Sequence, residues 1–72
     1  MIETGEELRA AREKLGWTEF KLGLALGLSG GHTKRGTRVL EMERGVRPVS
    51  GPVATLVQAF LDGWRPKAWE ED

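Results

Sequence analysis

Apolar residues recur every three or four positions along most of the chain, which is the spacing of one face of an α-helix. The first of these stretches predicts a helix over residues 5–15. Thr4 and Glu7 have the spacing of a capping box just before it, and Gly16 suits the left-handed residue that ends a helix. The start of the chain therefore indicates an amphipathic helix with both ends marked.

A second helix is predicted to follow Thr18, which is a favourable N-cap, and to end at Gly27. Its apolar stripe includes Leu22 and Ala25. Gly23 lies inside this stretch, where glycine costs about 1 kcal/mol relative to alanine. A glycine retained at that cost indicates a place where another backbone approaches closely.

Residues 28–36 are rich in glycine and are predicted to form a long turn. A third helix is predicted over residues 37–44, with Val39 and Met42 facing inward. A last helix with a wide apolar stripe is predicted to follow Ser50. No stretch alternates as a strand would, so the pattern predicts an all-α chain folded as a compact four- to five-helix bundle.

The length of 72 residues predicts one domain, which we expect to span residues 1–63, followed by a short charged tail over 64–72. Eleven Lys and Arg balance eleven Asp and Glu over the whole chain. Residues 28–61, however, hold five cations and two acids, so the middle of the chain is basic. A local basic patch of this kind favours docking on phosphate groups.

Several classes of protein are excluded by residues that the sequence lacks. The absence of cysteine excludes disulfides, thiolate zinc sites and thiol nucleophiles, and the single His32 excludes a multi-histidine metal site. No nucleophile–base pair, paired carboxylates or phosphate-binding loop is visible, so we expect no enzyme, no cofactor and no small-molecule ligand. The chain has no apolar stretch of membrane-spanning length and begins with acidic residues, so we expect a cytoplasmic, nucleoid-associated protein.

Three motifs follow one another in order over residues 4–61. They read Leu8-Arg9-x-x-Arg12-Glu13-x-x-Gly16-Trp17-Thr18, then Leu22-x-x-x-Leu26-Gly27-Leu28-Ser29, then Val39-x-x-Met42-Glu43-Arg44-Gly45-x-Arg47-Pro48. Together they resemble the lambda-repressor-like, xenobiotic-response-element (Xre) family of regulators. The resemblance implies a helix-turn-helix domain that binds double-stranded DNA as a homodimer on an inverted-repeat operator.

The chain departs from the family pattern at three places. Glu19 stands where the family usually has glutamine, and Gly23 stands where it usually has alanine. The stretch between Gly27 and Gly45 is also longer than is usual in the family. A carboxylate at position 19 would be repelled by phosphate unless a cation paired with it.

Helix three is where the resemblance implies contact with DNA bases. Thr37, Arg38 and Glu41 are the expected base-reading residues, because Arg can grip guanine, Glu can accept from cytosine and Thr can contact a thymine methyl. The other expected DNA contacts are Thr18, Ser29, His32, Thr33, Lys34, Arg35, Arg44 and Arg47. The alternative is an ordinary solvated face, with an ion pair between Arg38 and Glu41.

The last helix carries more apolar residues than one side of a small bundle needs, so a dimer seam is expected there. The residues expected at this seam are Val57, Phe60, Leu61 and Trp64. The alternative is that they cover the core of their own chain. The resemblance also implies a partly buried ion pair between Arg12 and Glu43, which would join helix one to helix three.

The expected function is that of a dimeric transcriptional repressor, acting on its own small operon in a phage or mobile element. Small regulators encoded beside anti-CRISPR genes are similar. The alternative is an antitoxin or protein-interaction module of helix-turn-helix fold whose main partner is a protein. The zero net charge and the acids Glu19, Glu41 and Glu43 favour that alternative.

Overall fold

Four helices make up the fold in the computed structural model, which describes residues 2–28 and 32–66 and contains no strand within those ranges. They are α1 (Gly5–Leu15), α2 (Glu19–Ala25), α3 (His32–Glu43) and α4 (Gly51–Leu61). The predicted all-α architecture is confirmed at this level. Ser29, one of the expected DNA contacts, and residues 67–72 of the predicted tail lie outside the described residues.

Helices α1, α2 and α4 begin at the caps that the sequence marks. The Thr4 hydroxyl accepts from the Glu7 N–H at 3.2 Å, and the Glu7 carboxylate accepts from the Thr4 N–H at 3.0 Å. Thr18 and Ser50 each accept from the amide three residues further on. Gly16 ends α1 with a φ of 76°, a left-handed conformation that favours glycine. Local capping chemistry therefore sets where these helices begin.

Helix α3 begins earlier than the glycine pattern predicts. It starts at His32, so residues 32–36 are helical and the prediction of a turn over all of 28–36 is wrong. This segment packs on α2: the Arg35 backbone lies against Gly23, and a Cβ on Gly36 would lie 3.4 Å from the Phe20 backbone nitrogen. Contact with α2 offsets the low helix propensity of this glycine.

Two glycines allow helices to approach backbone to backbone. A Cβ on Gly23 would lie 2.6 Å from the carbonyl oxygen of Arg35, so α2 and α3 touch there, as the sequence predicts. A Cβ on Gly5 would collide with the carbonyl oxygens of Met42 and Glu43. The first turn of α1 therefore lies against the last turn of α3, with opposite ends of the two helix dipoles adjacent.

One core joins all four helices. Its buried apolar side chains are Ile2, Leu8, Ala11, Trp17, Leu22, Ala25, Val39, Met42, Ala54, Val57 and Phe60. The edge of Phe60 packs on Trp17, with ring centroids 5.4 Å apart. The inward positions predicted for α2 and α3 are confirmed, and α4 is held to the bundle by its largest side chains.

Two residues predicted at the dimer seam belong to this core instead. Val57 is 0% exposed and Phe60 is 1% exposed, so neither has surface left for a second chain and their assignment to the seam is wrong. Periodicity identifies an apolar face but does not say what covers it. Leu61 is half-buried against the core, and Trp64, which stacks on Phe60, remains 51% exposed.

Candidate nucleic-acid interface

The outward side of α3 presents four polar side chains in one row. Lys34, Thr37, Arg38 and Glu41 are spaced by three and four residues, so they follow one another along a single side of the helix. We call these four residues the α3 face. Lys34 and Thr37 are exposed, and Arg38 and Glu41 are half-buried. The opposite side of α3 supplies core residues, so the face is fixed in direction.

The residues predicted to lie in the glycine-rich turn belong to the first turn of this helix. His32, Thr33, Lys34 and Arg35 are all helical, so the predicted turn is wrong for them, and their contact with DNA stays a prediction. The helix instead places Lys34 one turn before Arg38, at a fixed distance along the same side. The spacing of the four polar residues by three and four positions already indicated a helix, but the neighbouring glycines favoured a turn.

Arg35 points toward α2 rather than along the face. Its Nε donates to the carbonyl oxygen of Leu28 at 2.9 Å, and its backbone lies against Gly23. The side chain thereby gives a partner to a backbone carbonyl of the connection that follows α2. Arg35 therefore fastens α3 to α2, a role that its place in a glycine-rich stretch does not reveal.

The acid of the α3 face is paired across the turn that follows the helix. Gly45, with a φ of 80°, reverses the chain after α3. This turn brings the Nε of Arg47 to 3.0 Å from Oε1 of Glu41, although both side chains keep contact with solvent. The alternative interpretation of the sequence was an ion pair between Glu41 and Arg38. The observed pair offsets the negative charge on the face and leaves Arg38 available.

Three cations on or beside the face have no partner among the residues that the structure describes. Lys34, Arg38 and Arg44 form no side-chain hydrogen bond or ion pair within the described ranges. Arg38 borders a shallow concavity of about 380 Å³ that Arg47 and the start of α4 also line. Arg44 borders a different depression, shared with Arg9 of α1. These cations therefore lie both within the row and just beyond the end of α3.

The start of α3 is electrostatically suited to an anion. Its first turn contains Lys34 and Arg35 but no acid. A cation near the positive end of a helix dipole is unfavourable by a few tenths to about 1 kcal/mol, because the two charges repel. An anion bound at this end would interact favourably with both cations and with the dipole.

A buried ion pair fixes the other end of α3. Arg12 donates from Nε to Glu43 at 2.6 Å and from Nη2 at 3.2 Å, while the Glu43 side chain is only 3% exposed. This pair is the one that the resemblance implied, and it is confirmed. The hydrogen bond to Glu43 raises the pKa of Arg12 above its usual value. The pair ties α1 to the last turn of α3.

The same guanidinium accounts for the unusual acid at the start of α2. Nη1 of Arg12 lies 3.3 Å from the Glu19 carboxylate and also donates to the carbonyl of Trp17 at 2.9 Å. Glu19 is therefore paired, which is the condition under which a carboxylate is tolerated near phosphate. Thr18, the expected phosphate contact beside it, is exposed and uses its oxygen as the cap of α2.

Comparison with protein-family models, curated proteins and solved structures finds no match for this chain. The resemblance to lambda-repressor-like regulators therefore stays a prediction from the motifs.

No helix in the described ranges combines the length and the apolar character needed to cross a membrane. The described residues also contain no group of three or more potential metal ligands. The site must accordingly be interpreted from its own geometry.

Proposed function

We propose that this protein is a sequence-specific DNA-binding transcription regulator in which α2 and α3 form a helix-turn-helix. The α3 face would enter the major groove, which is wide enough to admit a helix. The observation that supports this proposal is the pattern of charge on α3. Lys34 and Arg38 on the outward side pair with no residue of the described ranges, whereas Glu41, the acid of the same face, is already bound by Arg47.

The residues on and beside the face are placed for different kinds of contact with DNA. Arg38 sits at the middle of α3 with its donors free, which suits a two-bond contact to O6 and N7 of guanine. Glu41 retains a second carboxylate oxygen that can accept from N4 of cytosine. Lys34, near the helix start, and Arg44, just after its end, suit phosphate contacts on either side of the groove.

A single copy offers too few base-reading side chains for strong selectivity. Each correct base contact contributes about 1–3 kcal/mol of discrimination. Two or three contacts therefore give only a modest difference in binding free energy between the operator and other DNA. We therefore propose a homodimer on an inverted repeat, which doubles the contacts.

Binding to the promoter of its own gene is the direct test. Fluorescence anisotropy with this duplex should give tighter binding than with a scrambled duplex of equal length and composition. If the dimer contacts about 6–10 phosphates, affinity should fall by roughly 10³–10⁵ between about 50 and 200 mM salt. The exposed cation Lys14 on α1 supplies a control, since Lys14→Ala should leave both quantities unchanged.

A protein-interaction module is the second candidate. Val46 is 70% exposed and Trp64 is 51% exposed, and large exposed apolar side chains are typical of surfaces that meet another protein. Binding of equal strength to the promoter and the scrambled duplex, with no response to salt, would favour this candidate over DNA recognition.

A further inference from the structure

A groove of about 790 Å³ runs along α4 and is lined mainly by apolar atoms. One wall is α4 itself, and the other is formed by Ile2, Glu3 and Val49. No residue of α3 or of the turn after it lines this groove. It is therefore a separate surface from the α3 face.

One continuous side of α4 forms the helical wall. The lining residues from the helix and its C-cap are Gly51, Ala54, Thr55, Gln58, Ala59 and Asp62. Intervals of three and four residues place all six in one row along the whole length of α4. Their side chains are short or of medium length, so a second helix can approach this side closely. Val57 and Phe60 point away from it into the core.

This row is complementary to itself when α4 is reversed. Reversal about the midpoint of the helix pairs Gly51 with Asp62, Ala54 with Ala59, and Thr55 with Gln58. The central pair can exchange hydrogen bonds, and the alanine pairs are small and apolar. An isologous contact between two copies requires this property, because the same patch must face itself across a twofold axis.

The charges at the ends of α4 favour the reversed arrangement. The first turn of α4 contains no acid, and the acid Asp62 lies at the C-cap, beside the negative end of the helix dipole. In an antiparallel pair, Asp62 of each copy would lie beside Gly51 of the other, at the positive end of that dipole. Asp62 is thus unfavourable at the negative end of its own helix dipole but favourable beside the positive end of the other copy's helix dipole.

We propose that a second copy of this chain docks on the α4 groove, with the two α4 helices antiparallel about an axis between Thr55 and Gln58. The core that the described helices share consists of eleven buried apolar side chains, and burial of a further apolar surface between two copies would add to its stability. This seam differs from the one expected around Val57 and Phe60. The inference concerns the free protein and does not rest on DNA binding.

Sedimentation equilibrium of the full chain, without DNA, tests the seam. The wild type should form a reversible dimer, and Thr55→Arg should weaken it by about 100-fold or more, because each new guanidinium would be buried opposite Gln58 of the other copy without an opposite charge to pair with. Ala10→Arg provides a matched control, since Ala10 is exposed on α1 and outside the groove. Its dimer should equal that of the wild type.

A charge-pair rescue separates this seam from a simple loss of folding. Because position 55 faces position 58 of the other copy, adding Gln58→Glu to Thr55→Arg should restore most of the dimer. Circular dichroism of each variant checks that the helices persist. Should Thr55→Arg unfold, Gln58→Arg tests the same contact.

Three outcomes would overturn the proposal. They are a wild type that stays monomeric at several hundred micromolar, a Thr55→Arg variant that dimerises as tightly as the wild type, and a failed rescue in a folded double variant. Because the described lining of the groove contains Glu3 and Asp62 and no cation, a basic peptide that binds the monomeric wild type there would identify another protein as the occupant. A protein that is monomeric in solution but still binds its promoter selectively would overturn this seam and leave the proposed DNA binding standing, so the two failures are distinguishable.

Discussion

Helices α3 and α4 are nearly equal in length but offer opposite surfaces to the solvent. The outward side of α3 carries long charged side chains, whereas the outward side of α4 carries short ones with a single acid at its end. Long cations reach a partner whose charged groups lie at a distance, such as a nucleic acid. Short side chains allow a second backbone to come close. The two sides therefore suit different partners.

The two helices are also held in the bundle by different means. α4 is anchored by large apolar side chains, with Val57 and Phe60 fully enclosed. α3 depends in addition on specific polar and backbone contacts, namely the ion pair of Glu43 with Arg12 and the close approach of Arg35 to Gly23. These contacts tolerate less change than apolar packing does, because an unpaired buried charge is costly. The position of the α3 face should accordingly be the more sensitive to single substitutions.

The largest expected effect comes from breaking the anchor of α3. Glu43→Ala would leave Arg12 buried without its main partner and should lower the free energy of unfolding by about 3–5 kcal/mol. Urea denaturation followed by circular dichroism measures this decrease. The exposed pair Arg9–Glu13, at 3.6 Å, is the control, since Arg9→Ala should change stability by about 0.5 kcal/mol or less. Equal effects of the two variants would show that the buried pair is not the anchor.

The next largest effect is a difference in stability between alanine substitutions at two glycines where α2 contacts α3. Gly23→Ala should destabilise by about 1–3 kcal/mol despite the better helix propensity of alanine, because its Cβ would press on the Arg35 carbonyl. Gly36→Ala meets Phe20 only at ordinary contact distance and should gain up to about 1 kcal/mol. Thermal denaturation of both variants gives the comparison. A stabilising Gly23→Ala would contradict the close approach of the two helices.

A third prediction divides base reading from phosphate contact on the α3 face. Arg38→Ala should weaken operator binding by about 1–3 kcal/mol and relax the preference at one base pair of each half-site. Lys34→Ala should weaken binding to all sequences similarly and reduce the slope of the salt dependence by about one for each phosphate that it leaves unneutralised. Anisotropy on a set of single-base operator variants measures both. The assignment fails if Lys34→Ala alters base preference while Arg38→Ala does not.

The features that sequence predicted well are those set by neighbouring residues. Thr4, Thr18 and Ser50 are caps in the structure because each bonds an amide three residues away, which spacing alone reveals. The start of α3 was missed because Gly36 is stabilised by contact with another helix. Tertiary contacts of this kind leave no local pattern.

The candidate surfaces were predicted less completely than the helices, again for a physical reason. Arg38 and Glu41 were expected on the face, but the pairing of Glu41 with Arg47 depends on the geometry of the turn at Gly45. The α4 groove was not predicted, because short side chains contribute little to a hydrophobic pattern. The spacing from Gly51 to Asp62 was nevertheless readable as one side of a helix.

The smallest expected effect concerns the N-terminal wall of the α4 groove and depends on pH. The Glu7 carboxylate accepts from the backbone N–H groups of Glu3 and Thr4, at 3.1 and 3.0 Å, and thereby holds the segment that lines the groove. The bonds from Glu3 and Thr4 lower the pKa of Glu7 below its ordinary value of 4.5. The folded state therefore favours the ionised form of Glu7.

The sign of the pH dependence follows from that lowered pKa. The contribution of Glu7 to stability is present above its pKa in the unfolded chain, and it is lost as the pH falls through the lower pKa of the folded chain. Glu7→Gln retains an acceptor without the charge, so the wild type should melt at the higher temperature near neutral pH, and the difference should vanish on acidification. Comparison at each pH cancels the titration of the other acids. A difference in melting temperature that stays constant down to about pH 2.5 would contradict an ionised cap, because protonation must remove its advantage over glutamine.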